Sequence, residues 1–347
     1  MSQIEVGILG ATGMVGQQFI ALLANHPWFK VAWLGASHRS EGKAYRDAAA
    51  WRLPAALPEH VARMGVNAAK PGGAPRLVFS GLDSSVAGEI EEAFAQAGHF
   101  VISNSKNYRM EADVPLLIPE INADHLALLE TQAAARGWKG SIVTNPNCST
   151  IVLSMALAPL RQFGLKSVMI TTLQAISGAG YPGVASWDIL GNVIPFIDGE
   201  EHKIETETKK ILGCYGDKRI DPHPMTVSAT TTRVAVQDGH TESVSVGLAN
   251  RPPVEALIDA FNSFKGKPQE LGLPSAPAQP VVYLSERNRP QPKLDVDRSR
   301  GMAVTVGRLR PCSLFDYKFI ALGHNTIRGA AGAAILNAEL MQSEGLL

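Results

Sequence analysis

The first ten residues and the turn that follows them constrain this chain more than any other feature. Residues 4–9, Ile-Glu-Val-Gly-Ile-Leu, read as a short strand, and they run directly into Gly10-Ala-Thr-Gly13-Met-Val-Gly16. A helical pattern follows through residues 18–23. Glycines at such a turn let the backbone approach a pyrophosphate, whose charge then sits at a helix N-terminus. The spacing is GxxGxxG rather than GxGxxG, so the motif gains its weight from context: it follows the first strand of an alternating α/β region.

That alternation continues. Residues 31–36, 76–80, 100–103 and 141–144 read as further strands, while 84–96 and 122–136 carry apolar residues at helical spacing. Short apolar strands between amphipathic helices predict a parallel sheet covered on both faces, an α/β Rossmann-like dinucleotide domain. The pattern changes after Cys148. Runs rich in Val, Ile and Thr at 167–173, 226–236, 241–248 and 319–322 are interrupted only by helical stretches near 204–212, 254–264 and 326–341. These predict an α+β domain with a mostly antiparallel sheet. Residues 1–147 with the C-terminal helix 323–347 are expected to form the first domain, and 148–322 the catalytic and dimerisation domain. The Pro- and Gly-rich stretch 267–280 is expected to be a surface loop.

Composition excludes several classes. Thirty-two basic residues balance thirty-two acidic ones, so charge gives no reason to expect nucleic acid or an anionic membrane as partner. The three cysteines, at 148, 214 and 312, are odd in number and far apart, which argues against a disulfide framework. No His/Cys cluster has metal-ligand spacing, and no metal is expected. Residues 141–160 and 167–187 lack charge but are broken by Asn, Pro, Ser or Gly, so neither reads as a membrane span. With no signal-peptide pattern at the N-terminus, the chain is expected to be cytoplasmic.

Two stretches carry chemistry. Where an NAD-binding fold would end its second strand in a carboxylate, Ser37-His38-Arg39-Ser40 offers hydroxyls and a guanidinium, which suits the 2′-phosphate of NADP(H). Asn145-Pro-Asn147-Cys148-Ser149 places a cysteine at the start of an apolar helix, where unpaired N–H groups favour a thiolate nucleophile. A buried structural cysteine is the alternative. Downstream lie Gln174, the run Glu200-Glu201-His202-Lys203, and Arg233 seven residues before His240. Singly these read as a helix ion pair, a strand-edge charge and a turn residue. Together they supply a nucleophile, an acid/base and clamps for an amino-acid substrate.

Over essentially its whole length the chain resembles aspartate-β-semialdehyde dehydrogenases, especially their archaeal and fungal branch. The resemblance is carried by 10–16, 37–40, Asn104-Ser-Lys-Asn-Tyr-Arg109, Ile118-Pro-Glu-Ile-Asn122, 145–149, 177–183, 199–212, 233–240 and Asn325-Thr-Ile-Arg-Gly-Ala-Ala-Gly332. It implies that Cys148 is the acyl-forming nucleophile, His240 the general acid/base, and Gln174 a substrate-orienting group. Arg233 would pair with the substrate α-carboxylate, and Glu200 or Glu201 with its ammonium. Arg109, Asn147 and Lys203 would hold acyl phosphate or inorganic phosphate. Gly10, Thr12, Gly13, Val15, Ser37, Arg39, Ser40, Gly178 and Asn325 would contact NADP(H). The implied reaction reduces L-aspartyl-4-phosphate to L-aspartate-4-semialdehyde through a cysteine thioester, a step toward lysine, threonine, methionine and isoleucine. The implied assembly is a homodimer or homotetramer. Related reductases acting on malonyl-CoA or N-acetyl-γ-glutamyl phosphate share the cofactor loop, cysteine and histidine; an ammonium-facing glutamate with Arg233 favours the amino-acid substrate.

Overall fold

Alternating strands and helices build a parallel sheet in the first part of the computed structural model, which describes residues 3–347. Its strands are β1 (Ile4–Leu9), β2 (Phe29–Ala36), β3 (Val66–Ala68), β4 (Leu77–Ser80), β5 (Phe100–Ser103) and β6 (Ser141–Thr144). They lie in the order β3-β2-β1-β4-β5-β6, every pair parallel. The order reverses between β1 and β4, and a ligand crevice opens beyond the strand ends at such a switch point. Both faces are covered, so β4 and β6 are buried at every residue. The helix Ser84–Ala97 is bounded by local chemistry. Asp83 accepts from the Ser85 N–H at its start, and Gly98, at φ 103°, ends it.

The helix after the glycine turn begins at Met14, four residues earlier than expected, and takes Gly16 into its first turn. A Cβ on Gly16 would stand 2.3 Å from the Gly10 carbonyl oxygen, so only glycine lets helix and turn pack this closely. The expected helix 122–136 divides into a 3₁₀ turn, Ala123–Ala127, and a helix, Leu128–Arg136.

The second sheet is mixed and mostly antiparallel. It contains β7 (Leu165–Gln174) and, after a small hairpin of β8 (Cys214–Gly216) and β9 (Arg219–Asp221), the strands β10 (Thr226–Arg233), β11 (His240–Leu248), β12 (Val281–Leu284), β13 (Val304–Pro311) and β14 (Tyr317–Gly323). The order β10-β7-β11-β14-β13-β12 has parallel pairs at both edges and antiparallel pairs between them. One face buries Val168, Ile170, Val244, Val246 and Phe319 against the helix Cys148–Leu157. The opposite face is open: β7 alternates buried and exposed residues, and Met169 and Leu173 are 44% and 40% exposed.

Two segments return to the first sheet. The C-terminal helix Gly332–Ser343 places Ile335, Leu336, Leu340 and Met341 in one core with Val6, Ile8 and Phe19. The stretch expected as a surface loop at 267–280 does the same. Its proline and glycine are helix signals, Pro268 near the start and Gly272 as a left-handed cap of the helix Lys267–Leu271, and Leu273 is buried in the first core.

Candidate active site

The helix Cys148–Leu157 starts just after β6, so its first residue sits at the mouth of the parallel sheet. Asn147 caps it: Oδ1 accepts from the N–H groups of Ser149 (3.0 Å) and Thr150 (3.1 Å). The cap thereby takes up N–H groups that the sequence reading assigned to stabilising a thiolate. Burial, followed by the charge of Glu200, pushes the Cys148 thiol up to about 12, against the pull of Arg233, Arg109 and the Ser149 N–H. The expected low-pKa thiolate is therefore corrected: at neutral pH this arrangement holds a thiol.

Strand β11 begins with His240, and its Nε2 stands 3.1 Å from Cys148 Sγ. On the other side of the ring the Ala175 N–H donates to Nδ1 at 3.1 Å. An N–H pointed at Nδ1 requires a lone pair there, so the neutral imidazole carries its proton on Nε2, facing the sulfur. Burial and then Arg233 push His240 down to about 3, Glu200 opposing them. Arg233 ends β10 in register with Gln174 at the end of β7. Its Nη1 donates to Ala175 O at 2.8 Å, and its backbone exchanges two hydrogen bonds with Ile194. Gly178 lies against both groups: a Cβ there would stand 2.8 Å from Arg233 Nη1 and 3.0 Å from His240 Cε1. Cys148, His240, Arg233, Gln174 and Gly178 are thus brought together.

The acids separate. Glu200, buried at the start of the helix Glu200–Ile211, accepts from Asn147 Nδ2 (2.7 Å) and Lys203 Nζ (2.9 Å). Burial works against its ionisation, but Lys203 and the Asn147 amide outweigh it and hold the carboxyl below its ordinary range. Glu201, one residue round the helix, instead accepts from the Thr231 N–H on β10, so of the two it is Glu200 that meets the nucleophile turn. Arg109 is buried and engaged, with Nη1 donating to Glu207 (3.0 Å) and Nη2 to Asn104 O (2.7 Å), while no partner among the described residues meets Nε. Glu207 was not foreseen. It also accepts from the Asn147 N–H at 2.7 Å and so couples Arg109 to the nucleophile turn. Its spacing of seven from Glu200 places both acids on one helix face, which was the available signal.

A cavity of about 510 Å³ runs from Cys148, Asn147 and Arg109 to Thr12, Gly13, Val15, Gly178 and Asn325. Asn325 joins the two sides, accepting from the Gly239 N–H (2.9 Å) and donating to Ser177 Oγ (2.7 Å). Gly10 stands behind this wall, at φ 74° and close against Gly81, so it shapes the turn rather than lining the cavity. Gly13 caps the helix Met14–Leu23 with no side chain on its N–H groups, an entrance suited to a pyrophosphate. At the end of β2, Ser37 and Arg39 are exposed and Ser40 is buried. Glu41 follows directly, with its carboxylate turned to His38 at 3.2 Å. Among the described residues no group of three or more His, Cys, Asp or Glu side chains could hold a metal, and no helix is long and apolar enough to cross a membrane.

Known proteins match this architecture in both halves. Residues 5–129 match the semialdehyde dehydrogenase NAD binding domain, and 157–328 the semialdehyde dehydrogenase dimerisation domain. The aspartate-semialdehyde dehydrogenase of Archaeoglobus fulgidus is 49% identical over 344 residues, covering 99% of each chain. That of Candida albicans is 48% identical over 365 residues, covering 100% of each. A crystal structure of the Candida albicans enzyme with NADP superposes with a TM-score of 0.92 at 45% identity, again over 100% of each chain. Aspartate semialdehyde dehydrogenase II of Vibrio cholerae complexed with ASA gives 0.79 at 25% identity, over 99% of each. With both halves matching and near-half identity from end to end, the chain belongs to the aspartate-semialdehyde dehydrogenase family.

Proposed function

We propose that this protein carries out the NADPH-dependent reductive dephosphorylation of L-aspartyl-4-phosphate to L-aspartate-4-semialdehyde, in biosynthesis of lysine, threonine, methionine and isoleucine. The observation that carries this reading is the 3.1 Å approach of Cys148 Sγ to His240 Nε2, with Arg233 and Glu200 beside it. Arg233 binds the α-carboxylate and Glu200 the α-ammonium. Arg109, Lys203 and Asn147 receive the phosphate. Gln174, beside Arg233 in the sheet, orients the chain of the substrate.

Negative charge on the substrate neutralises Arg233 and so relieves its pressure on His240. The imidazole then takes the tautomer with its hydrogen on Nδ1, at the expense of the Ala175 hydrogen bond, so that a lone pair on Nε2 faces the sulfur and accepts the Cys148 proton; the imidazolium is a species of turnover rather than of rest. The thiolate attacks the β-carbonyl carbon, the carbon–oxygen bond to phosphate breaks, and inorganic phosphate leaves a thioester on Cys148. NADPH, when bound, supplies the hydride that reduces this thioester. The carbon–sulfur bond of the resulting hemithioacetal oxyanion breaks, the aldehyde departs, and His240 returns the proton to sulfur. The uncapped helix at Gly13 fits the pyrophosphate, and Ser37, Arg39 and Ser40 fit a 2′-phosphate, with Thr12, Val15, Gly178 and Asn325 along the cavity between.

The working unit is a homo-oligomer, dimer or tetramer, in the cytoplasm. The open face of the second sheet, with Met169 and Leu173 exposed, packs against a second copy. Residues 1–147 with 323–347 act as the NADP-binding domain and 148–322 as the catalytic one, a division supported by the return of the last helix to the first core. The test is phosphate-dependent reduction of NADP by aspartate semialdehyde, run beside NADPH-dependent reduction of malonyl-CoA. Turnover with malonyl-CoA alone would overturn the substrate assignment.

A further inference from the structure

Among the described residues Arg328 is the largest side chain that is fully buried. It makes a two-pronged pair with Glu120, Nη1 to Oε1 at 2.7 Å and Nη2 to Oε2 at 2.8 Å, and Nη2 also lies 3.0 Å from Met155 Sδ. Both side chains are 0% exposed. Three distant segments meet here. Arg328 lies in the π-helical turn Ile327–Ala331, Glu120 in the short helix Pro119–Asn122, and Met155 in the helix that begins with Cys148. Gly266 closes over the Glu120 backbone, where a Cβ would stand 2.4 Å from the Glu120 Cα.

A pair this dry is a poor stabiliser, because desolvating two ions consumes most of what their attraction returns. What it supplies, and apolar packing does not, is direction: two parallel hydrogen bonds fix a guanidinium in plane and in distance. The turn it holds is a π turn, a form that occurs mostly as a single turn and often at functional sites. The residues after Arg328 form the wall behind the nucleophile. A Cβ on Gly329 would stand 2.7 Å from Cys148 Cβ, and Ala330 O accepts from Asn145 Nδ2 at 3.2 Å, in the same Asn-Pro-Asn-Cys turn. Three residues before Arg328, Asn325 ties the turn to Gly239, the neighbour of His240.

We propose that Arg328 and Glu120 are positioning residues: their pair is a strut that presses the π turn against Cys148 and holds its sulfur within reach of His240 and of the bound cofactor. Neither side chain touches substrate. The pair sets where the sulfur stands, and a displacement of about 1 Å at a reacting atom costs on the order of a hundredfold in rate. This rests on reading Cys148 as the nucleophile.

The experiment replaces the pair by apolar groups, Glu120→Leu with Arg328→Met, so that no charge is left unpaired in the core. The expected double variant folds, binds NADPH with an affinity within about threefold of wild type, and loses about tenfold or more in kcat with a parallel loss in the rate of Cys148 alkylation by iodoacetamide. A packing role alone would leave both rates unchanged in a folded protein, and wild-type kcat in the double variant overturns the strut. If the double variant does not fold, Arg328→Lys carries the test, since it keeps the charge and loses the second prong. Reduced kcat with unchanged NADPH affinity then supports the strut, and wild-type kcat overturns it. Cys148→Ala is measured alongside. Wild-type kcat in the pair variant while Cys148→Ala is inactive sinks the strut alone, whereas an active Cys148→Ala sinks the nucleophile and the strut together.

Discussion

The two ends of the cavity are built by opposite means. At the end lined by the glycine turn the protein offers backbone, the uncapped helix start at Gly13, and the groups proposed for the 2′-phosphate, Ser37 and Arg39, stand on an exposed turn outside the cavity lining. At the reaction end the charged groups are buried and already committed to one another, Arg109 to Glu207, Glu200 to Lys203 and Asn147, Arg233 to Ala175 O. A solvated group can lose a contact and leave its neighbours in place. A buried, coupled group cannot, because its partner is left unsatisfied at a cost of about 1–3 kcal/mol, and more when charged. Substitutions at the reaction end are therefore expected to be close to all-or-none, and those at the cofactor end graded and cofactor-specific.

The sharpest way to break this contrast is Cys148→Ala. Turnover is expected to fall by at least about 10⁴-fold while NADP binding persists, because in the proposed mechanism the sulfur alone forms the covalent intermediate. Iodoacetamide should label Cys148 slowly at neutral pH for a catalytic thiol, since its pKa stands near 12, and faster when a substrate analogue is bound. Near wild-type turnover in the variant would remove the thioester mechanism.

Arg233→Lys comes next. Ala175 O holds Nη1 of the arginine and so fixes the plane of the guanidinium, whereas a lysine ammonium is a point charge that cannot reproduce that orientation. The variant is expected to fold and bind NADP but to lose roughly a hundredfold in kcat/KM for aspartate semialdehyde, and far less with an aldehyde lacking the α-carboxylate. Equal losses on both aldehydes would move the carboxylate clamp to Lys203 or Arg109.

At the cofactor end, Arg39→Ala should raise KM for NADPH about ten- to a hundredfold, the worth of one charge-assisted hydrogen bond of about 1.5–3 kcal/mol. KM for NADH and kcat should move little, because the exposed Arg39 turn leaves the buried network untouched. An equal loss with both cofactors would mean that Arg39 supports the turn and reads no phosphate.

The same division decides what could be read from the sequence. The β1–glycine–helix unit is local, so spacing alone places β1 at Ile4–Leu9, and β5 and β6 likewise fall at the expected residues. The helix start at Met14 escaped because Gly16 looks like turn and is in fact the one residue small enough to enter the helix there. Strand β3 escaped because three residues carry no period, and β12 because it follows directly on a stretch that reads as loop; their partners, 32 and 23 residues away at Leu34↔Val66 and Val281↔Val304, define them. In the site, Cys148, Arg233 and His240 were legible through their motifs. The Arg328–Glu120 pair was not, since a contact across 208 residues leaves no trace in local pattern; Glu207 showed only a helix-face spacing from Glu200, with nothing to point to Arg109 98 residues away. Glu200 and Glu201 are separated by rotation round the helix, one residue facing Asn147 and the next facing Thr231, which their adjacency in the sequence does not reveal.

The gentlest effect tests the contrast from beneath the cofactor half, at a buried acid. Glu91 accepts from Ser103 Oγ at 2.8 Å, but no hydrogen-bond partner among the described residues meets its second carboxylate oxygen. Burial raises its pKa from 4.5 to about 7, against the pull of Ser80, Ser103 and Arg109. The folded protein therefore keeps a proton between pH 4.5 and 7 that the unfolded chain has released. The contribution of Glu91 is fully present below pH 4.5 and declines as the pH rises toward 7, by at most about 1.4 kcal/mol per pH unit. Glu91→Gln cannot ionise, so the stability difference between variant and wild type should grow in the variant's favour from pH 5 to pH 7 in chemical denaturation. Activity should stay within about twofold, because Glu91 lies behind β4 and β5 rather than in the cavity wall, and a graded change there is what the cofactor half is expected to tolerate. A collapse of turnover in Glu91→Gln, or a stability difference that does not change with pH, would mean that the carboxylate is held ionised by Arg109, and that the buried charge network reaches beneath the cofactor site as well.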